Sequence, residues 1–495
     1  MRRGMLLAAL LLMSACGKGE AVLSNVVTTD TGQVRGEVRI GSHAVFRGIP
    51  YARAARWEPP VRAASWSGVR DALRPGSPCP QVGSSYAAAE KSTDEDCLFA
   101  NVTTPSVVGR KPVLVWVHGD GAVGAGHYFD AERLARQGDV VVVTFNYRLG
   151  VFGGFGLPGL AHSGEFGLLD QRAALEWVQR NIAAFGGDPG NVTLFGVSFG
   201  ATAVSAHLIG QKPLFHKAIM HSSFTMVDVP RGAWYPDLEA LPSLAWRPVA
   251  EIQEIGASIM RELGCADVSC LRQLPVEKLL EYPQVMNIFQ PVGYGGSLLP
   301  RLPGESLAAG EFSSVPILVG ATRDEHNSFV GMFRPGPLSA ADYSRLVREA
   351  FPERAAEIER AYPISAYASP KQAWAAVLTD RVWARATFRQ NTLYAAKAPV
   401  YAFEFADRGA STDPSFPPEL HGANHSSDID YLFPDVGFTK DRGLSDHMIK
   451  SWTDFARSGS PGWPSFSEGQ YVQSLAPGAI GRVDYAAEHK LAFWD

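Results

Sequence analysis

The sequence predicts an α/β fold in which a central, mostly parallel, twisted sheet is flanked by helices. Short apolar runs recur along the chain, and such runs are typical of strands buried on both faces of a parallel sheet. Helical patterns lie between these runs, and strands that alternate with helices define the α/β class. In folds of this class, ligands bind beyond the carboxyl ends of the strands.

The apolar runs predict six strands of the sheet, at residues 112–119, 139–148, 191–198, 217–223, 315–322 and 399–405. A helix is predicted after Phe166, because apolar residues recur near a 3.6-residue period up to Ile182. Gly186 and Gly187 follow this pattern and are expected to end the helix. A second helix is predicted at 446–457, and no internal repeat or charge run interrupts the chain.

Composition and charge exclude some classes of partner. Hydrophobic residues make up 46% of the 495-residue chain and charged residues 19%, which is ordinary for a globular protein with a sizeable core. The net charge of −5 and the pI near 6.2 offer no basic patch for nucleic acid or for an anionic membrane surface. No pattern indicates a particular oligomeric state.

The first residues are typical of an export signal. Arg2 and Arg3 precede an apolar run that is too short to span a bilayer, and small residues follow it. The stretch LLMSAC is similar to a bacterial lipoprotein box, which predicts lipidation of Cys16. We expect a signal peptide at 1–15, a tether at 16–24 and one domain at 25–495, in the periplasm or anchored to the outer membrane. The alternative is secretion with a free thiol.

The remaining cysteines are consistent with export. The chain has five cysteines, so four remain if Cys16 carries lipid, and four allow three pairings. The nearest-neighbour pairing joins Cys79 to Cys97 and Cys265 to Cys270, which closes two short loops. Disulfides are expected in an oxidising compartment.

Ser198 is a candidate nucleophile. It lies in FGVSFGAT, residues 195–202, between a predicted strand and a predicted helix. A strand–turn–helix around G-x-S-x-G is the context that a nucleophile elbow requires. Without side chains at Gly196 and Gly200, the helix and the neighbouring strand can approach a sharply turned serine.

Several ordered motifs resemble those of the type-B carboxylesterase family, which includes the cholinesterases. They are FRGIPYA, EDCLFANV, NYRLGVFG and FGLLDQRAALEWVQRNIAAFGGDP, at 46–52, 95–102, 146–153 and 166–189. The resemblance runs from about residue 25 to the C-terminus. It implies an α/β-hydrolase fold with loop and helical insertions that form an active-site gorge. It also implies ester hydrolysis through an acyl-enzyme, with a Ser–Glu–His triad and no cofactor.

The other triad positions follow from the same resemblance. ILVGATRDEHNSF matches the segment of the family's acid and places that role at Glu325, with Asp324 as the local alternative. His326 stands where the family usually has glycine. GANHSSDIDYLF places the general base at His425. The spacing of His421 and His425 allows a metal pair, but no third ligand or HExxH motif accompanies it, so we expect no metal.

The oxyanion hole departs from the family pattern. In HGDGAVGAG, residues 118–126, the matching backbone donors are the N–H groups of Asp120, Gly121 and Phe199. An ionised Asp120 about 4 Å from the oxyanion would cost on the order of 4 kcal/mol at an effective dielectric of 20. We therefore expect its side chain to turn away toward a partner that holds the loop. The alternative is a carboxylate that faces the oxyanion and depresses activity.

Further positions bear on the substrate. Val197 and Phe199 replace the family's usual glutamate and alanine beside the nucleophile, which makes the pocket more apolar or more crowded. No tryptophan lies between Cys79 and Cys97, where cholinesterases place a ring that binds choline. We expect a small neutral ester as the substrate. Ser222 matches a serine near the family's catalytic acid.

Two other functions fit part of the pattern. The family also includes non-catalytic adhesion proteins with broken triads, but all three triad positions in this chain hold usable residues. Metal-dependent hydrolysis is the other alternative, and it would be sensitive to a chelator. The sequence therefore favours a serine esterase.

Overall fold

A large mixed sheet forms the centre of the computed structural model, which describes residues 25–39, 43–84, 89–210, 212–435 and 437–495. Its eleven strands are β1 Glu37–Arg39, β2 His43–Pro50, β3 Phe99–Thr104, β4 Lys111–Val117, β5 Val141–Phe145, β6 Gly187–Val197, β7 Lys217–His221, β8 Ile317–Thr322, β9 Val400–Phe405, β10 Val472–Leu475 and β11 Gly481–Val483. The order across the sheet is β11-β10-β9-β8-β7-β6-β4-β5-β3-β2-β1.

The middle of this sheet is parallel and its edges are antiparallel. Strands β5, β4, β6, β7, β8, β9 and β10 pair in parallel. The pairs β5–β3, β3–β2, β2–β1 and β10–β11 are antiparallel. The predicted α/β fold with a mostly parallel sheet is therefore confirmed, and each of the six predicted strands corresponds to an observed one.

Helices cover both faces of the sheet. They span Glu132–Gly138, Gly150–Gly154, Phe166–Asn181, Phe199–Ile209, Val249–Glu262, Val268–Gln273, Val276–Leu280, Gln284–Ile288, Pro303–Ala308, Asn327–Phe333, Ala340–Ala350, Ala355–Ala361, Pro370–Leu378, Arg385–Ala395, Ile429–Leu432, Arg442–Ser458, Tyr485–Glu488 and Leu491–Trp494. A π-helical stretch, Thr379–Ala384, joins two of them. None of the helices in the described ranges is long and apolar enough to cross a membrane.

The apolar runs are strands because both of their faces are buried. In β4, Val113 and Val115 belong to one apolar cluster, and the alternate residues Leu114 and Trp116 belong to the cluster on the opposite face. The second cluster includes Trp452 of the helix Arg442–Ser458. Burial of about 25 cal/mol per Å² of apolar surface on each face stabilises this arrangement. The parallel strands consequently end along one edge, where the predicted site residues lie.

Smaller elements surround the large sheet. Strands Val26–Thr28, Gln33–Arg35 and Val69–Asp71 form one sheet, Ala52–Arg53 pairs with Val61–Arg62, and Trp246–Pro248 pairs with Val292–Tyr294. Cys79 is bonded to Cys97 and Cys265 to Cys270, as the nearest-neighbour pairing predicts. The predictions for the signal peptide, the tether and Cys16 fall outside the described residues.

Candidate active site

Ser198 occupies a strained turn between β6 and the helix Phe199–Ile209. Its φ is 59° and its ψ is −128°, a backbone conformation that a residue with a side chain rarely adopts. The Ser198 N–H donates to the His221 carbonyl at 2.9 Å, which ties this turn to the end of β7. Strain of this kind concentrates at functional sites and persists only where the surrounding structure holds it.

Two glycines make the turn sterically possible. A Cβ on Gly196 would lie 2.7 Å from the Gly200 carbonyl carbon, and a Cβ on Gly200 would lie 2.2 Å from the Val117 carbonyl oxygen. Neither position tolerates a side chain, because the atoms that would clash are backbone atoms. The glycines of the motif therefore allow the helix to pack against the end of β4 directly after Ser198.

Glu325 and His425 are in direct contact at the carboxyl ends of β8 and β9. Glu325 Oε2 lies 2.6 Å from His425 Nδ1. Glu325 is fully buried, and its Oε1 accepts hydrogen bonds from the Thr322 N–H at 2.8 Å and from the Ser222 hydroxyl. His425 Nε2 is buried and finds no hydrogen-bond partner within the described residues. The imidazole is thus fixed through Nδ1, and Nε2 is left to accept a proton.

The alternative acid, Asp324, has a different set of contacts. Its Oδ2 accepts from the Ala423 N–H at 3.0 Å, its Oδ1 accepts from Arg408 at 3.3 Å, and its own N–H donates to the Ala423 carbonyl at 2.9 Å. Asp324 therefore fastens the start of the loop that carries His425. His421 lies in the same region, where its Nε2 is within 3.0 Å of the Asp413 carbonyl oxygen.

The Asp120 side chain folds back onto its own loop. Its Oδ1 accepts from the N–H groups of Ala122 at 3.0 Å and Val123 at 3.2 Å. Gln290 Nε2 donates to the Asp120 carbonyl at 3.0 Å. Burial raises the pKa of the Asp120 carboxyl, and the two backbone N–H groups and Gln290 partly oppose that rise. The residue has a φ of 69°, so its backbone is in the left-handed region.

The predicted oxyanion donors of Gly121 and Phe199 differ in their surroundings. The Gly121 N–H donates to the Gly119 carbonyl at 3.0 Å, so it already has an acceptor. Phe199 is the first residue of its helix, where an α-helix leaves N–H groups without an intrahelical acceptor. The loop passes close to the nucleophile, since a Cβ built on Gly119 would lie 3.0 Å from the Ser198 Cβ.

Aromatic rings surround His425. The ring centroids of Trp383, Phe329 and Phe224 lie 4.8, 4.9 and 5.7 Å from that of the imidazole. Trp234 packs behind them, 4.4 Å from Phe329. We call Phe224, Trp234, Phe329 and Trp383 the aromatic wall. All four come from segments between β7 and β9.

His326 packs against the rings of the aromatic wall, with centroids 5.4 Å from those of Trp234 and Phe329. Its Nδ1 accepts from the Trp383 indole N–H at 3.0 Å, and its Nε2 donates to the Ala233 carbonyl at 3.1 Å. Burial lowers the pKa of His326 to about 3, so the imidazole is neutral at physiological pH. The replacement of the family's glycine by histidine therefore adds a bridge between the acid loop, Trp383 and the segment that carries Trp234.

A small cavity of about 50 Å³ lies beside the loop of residues 118–126 that carries the predicted oxyanion donors. It is lined by Gly121, Phe199, Leu168, Ala203, Phe289 and Gln290, among other residues. This volume is well below the range of pockets that enclose a whole drug-sized ligand, so the cavity suits only a small group. Sequence reasoning found neither this cavity nor the aromatic wall, because their residues are distant in the chain and no local spacing connects them.

The buried parallel sheet, the strained serine turn and the paired Glu325 and His425 define a hydrolase of the α/β-hydrolase fold. Residues 23–478 match the carboxylesterase family. Among similar proteins, cocaine esterase from Homo sapiens is 32% identical, over 98% of this chain and 93% of its own length. Para-nitrobenzyl esterase from Bacillus subtilis (strain 168) is 33% identical, over 90% and 93%. Fumonisin B1 esterase from Sphingopyxis macrogoltabida is 32% identical, over 88% and 84%.

The chain belongs to the carboxylesterase family, and it is a carboxylic ester hydrolase. The resemblance identified from the sequence motifs is therefore confirmed.

Proposed function

We propose that the enzyme hydrolyses carboxylic esters with Ser198 as nucleophile, His425 as general base and acid, and Glu325 as the carboxylate that orients His425. The observation that carries this proposal is the 2.6 Å contact between Glu325 Oε2 and His425 Nδ1. A carboxylate on Nδ1 requires the proton to be on that nitrogen, which leaves Nε2 as the base. The Ser222 hydroxyl donates a hydrogen bond to the other oxygen of the Glu325 carboxylate and holds it in place.

The reaction follows from these roles. His425 Nε2 takes the proton of the Ser198 hydroxyl while Oγ attacks the ester carbonyl carbon, which produces a tetrahedral oxyanion. The carbon–oxygen bond to the alcohol then breaks, and the imidazolium returns its proton to the leaving alkoxide. Water attacks the acyl-serine by the same route, with His425 again as base. The products are the alcohol, the free acid and the regenerated serine.

The oxyanion is stabilised by the N–H groups of Asp120, Gly121 and Phe199. Loss of one such donor typically costs roughly 10²–10³ in rate. The Gly121 N–H must exchange its Gly119 acceptor for the substrate oxygen, whereas the Phe199 N–H faces no such competition from its helix. The Asp120 carboxylate accepts hydrogen bonds from the N–H groups of Ala122 and Val123. These bonds turn the carboxylate toward the loop backbone and away from the oxyanion.

The substrate is a neutral ester with an apolar acyl group. Phe329, the partly exposed ring beside His425, offers aromatic surface for a neutral group, and the relatives' names refer to esterases of different compounds. The small cavity beside Gly121 and Phe199 is adjacent to two of the proposed oxyanion donors, so it is placed to receive a short acyl group.

The protein is exported as residues 16–495 and anchored through lipid on Cys16. This proposal rests on the pattern of residues 1–16 and on the two disulfides, which form most readily in an oxidising compartment. Residues 25–495 form the single catalytic domain, and most of that range matches the carboxylesterase family.

A panel of nitrophenyl esters of increasing acyl length tests the substrate and the nucleophile together. The wild type should hydrolyse these esters, and Ser198→Ala should not. Ala203→Leu fills part of the cavity and should reduce kcat/KM for propionate and butyrate esters about tenfold relative to acetate. Ala206→Leu, on the same helix but not lining the cavity, is the matched control and should keep the wild-type chain-length preference. If Ala203→Leu keeps the wild-type chain-length preference, the cavity does not bind the acyl group.

A further inference from the structure

The end of β7 contacts the segments that carry the three proposed triad residues. The His221 carbonyl accepts the Ser198 N–H at 2.9 Å. The next residue, Ser222, donates its hydroxyl to Glu325. The third contact is made by the His221 side chain, which reaches the segment after His425.

That side chain has both ring nitrogens in defined hydrogen bonds. His221 Nδ1 lies 2.5 Å from Asp428 Oδ2, and His221 Nε2 lies 2.9 Å from the Trp452 indole nitrogen. An indole N–H can only donate, so Nε2 is an acceptor and the proton of the imidazole is on Nδ1. The side chains of His221 and Asp428 are both fully buried. The result is a directional bond from a neutral imidazole to a carboxylate.

This bond fixes the far end of the His425 loop. Asp428 comes three residues after His425 and directly precedes the helix Ile429–Leu432. The near end of the loop is fixed by Asp324, which accepts the Ala423 N–H at 3.0 Å. His425 thus lies on a short loop held at both ends, and the far-end contact comes from the residue that also holds the Ser198 backbone.

We propose that His221 is a positioning residue, which fixes the loop of His425 relative to Ser198 through its bond to Asp428. This inference rests on the proposed function of Ser198 and His425. The His221 side chain is fully buried and out of reach of a substrate, so its contribution belongs to the geometry of proton transfer rather than to binding. A displacement of about 1 Å in such a geometry costs on the order of 10²-fold in rate.

Two substitutions at His221 separate positioning from packing. The amide nitrogen of asparagine can occupy the place of Nδ1, so His221→Asn keeps the donor to Asp428 and loses the acceptor for Trp452. His221→Gln reaches the place of Nε2, so it keeps the acceptor for Trp452 and loses the donor to Asp428. Each variant loses one buried hydrogen bond, which makes the two a matched pair for stability.

Steady-state kinetics on a nitrophenyl ester provide the test, with active sites counted by a fluorophosphonate label. His221→Gln should lower kcat about 10²-fold with KM unchanged, and His221→Asn should retain most of the wild-type kcat. Equal kcat values for the two variants, or a loss expressed in KM, would overturn the proposal.

If either His221 variant fails to fold, the same comparison is made at the partner residue. Asp428→Asn keeps an acceptor for His221 and should retain kcat, whereas Asp428→Ala should lose it; equal values would overturn the proposal. If the triad assignment itself is wrong, Ser198→Ala retains turnover, regardless of the kcat values of the His221 variants. That result distinguishes a wrong triad from a wrong role for His221.

Discussion

Glu325 Oε2 contacts His425 Nδ1 at 2.6 Å although the two residues are 100 positions apart in the chain. The contact exists because β8 and β9 are parallel neighbours, so the loops that follow them meet at one edge of the sheet. Two further hydrogen bonds to the Glu325 carboxylate come from this edge, from the Thr322 N–H and from the Ser222 hydroxyl. Because Glu325 contacts Nδ1 of His425, Nε2 is the nitrogen of that imidazole left free to act as a base.

Substitutions of the proposed triad should be non-additive. Ser198→Ala and His425→Ala should each lower kcat about 10⁴-fold or more, and the double variant should be little worse than either, because triad residues act as a unit. The measurement is kcat on a nitrophenyl ester, with circular dichroism as the control for folding. Losses that add in the double variant, or a single variant with full activity, would contradict the assignment.

Asp120 should support the oxyanion loop through its side-chain bonds. Asp120→Gly removes the acceptor for the Ala122 and Val123 N–H groups, so the backbone donors should loosen. We expect turnover to fall, by up to the roughly 10²–10³-fold that loss of one donor costs. Asp120→Asn keeps a carbonyl oxygen in the same place and should retain more activity than Asp120→Gly.

The pH dependence of these two variants distinguishes the alternatives. Burial raises the pKa of Asp120, so a carboxylate that faced the oxyanion would inhibit more as it ionises with rising pH. Removal of that charge would then increase turnover, most clearly above neutral pH. A gain in turnover for both Asp120→Gly and Asp120→Asn would show that the carboxylate opposes catalysis.

The sheet and the serine turn could be predicted from the sequence because their causes are local. Strand β4 has apolar residues on both faces, and that requirement appears directly as an apolar run. The antiparallel edge strands were not predicted, because residues such as Asn101 and Thr103 in β3 break the apolar pattern. These strands form because neighbouring strands make hydrogen bonds to their backbone N–H and C=O groups. The identity of those neighbours cannot be seen in a short stretch of sequence.

The surroundings of the candidate site were less predictable. The resemblance placed Glu325 and His425 by motif, but the aromatic wall depends on rings that meet only after the segments between β7 and β9 fold over the site. His326 departs from the family's glycine, but the two hydrogen bonds of its ring involve Ala233 and Trp383, which no spacing connects to it. Long-range packing decides both features.

Stability should depend on the protonation of a buried histidine near the C-terminus. His489 Nδ1 lies 2.6 Å from Asp380 and Nε2 lies 2.6 Å from Glu404. Burial alone would lower its pKa, but the hydrogen bonds to the two carboxylates outweigh that effect and raise the pKa to about 10. Because the pKa in the folded state is above the unfolded value of about 6.5, this stabilisation is complete below pH 6.5 and is lost as the pH rises toward 10.

Urea unfolding of His489→Gln tests this linkage. The variant removes the cation between two buried carboxylates, which keep only longer contacts to Arg323 at 3.6 Å and Lys490 at 3.9 Å. It should therefore lose stability near neutral pH, by up to about 3–5 kcal/mol. Its free energy of unfolding should also fall less steeply than that of the wild type between about pH 7 and pH 10. Arg345→Gln removes an exposed ion pair and is the control, with little change in stability. Parallel pH profiles for His489→Gln and the wild type would refute a charged His489.

Export and anchoring can be tested at Cys16. Mass spectrometry of the mature protein should show that it begins at Cys16 and carries lipid, and the protein should partition with membranes. Stable anchoring requires at least two acyl chains, because one chain binds only marginally. Cys16→Ser should release the protein or block its processing. An unmodified mature N-terminus would refute lipidation and leave the esterase activity unaffected.

The most direct test of the account is to locate the covalent intermediate. The enzyme would be treated with a fluorophosphonate or acid-quenched during turnover of a nitrophenyl ester, then digested and mapped by mass spectrometry. The account predicts one added phosphonyl or acyl group per chain, on Ser198, and no adduct in Ser198→Ala. An adduct on another residue, or stoichiometric labelling of Ser198→Ala with retained turnover, would contradict the assignment of Ser198 as the nucleophile.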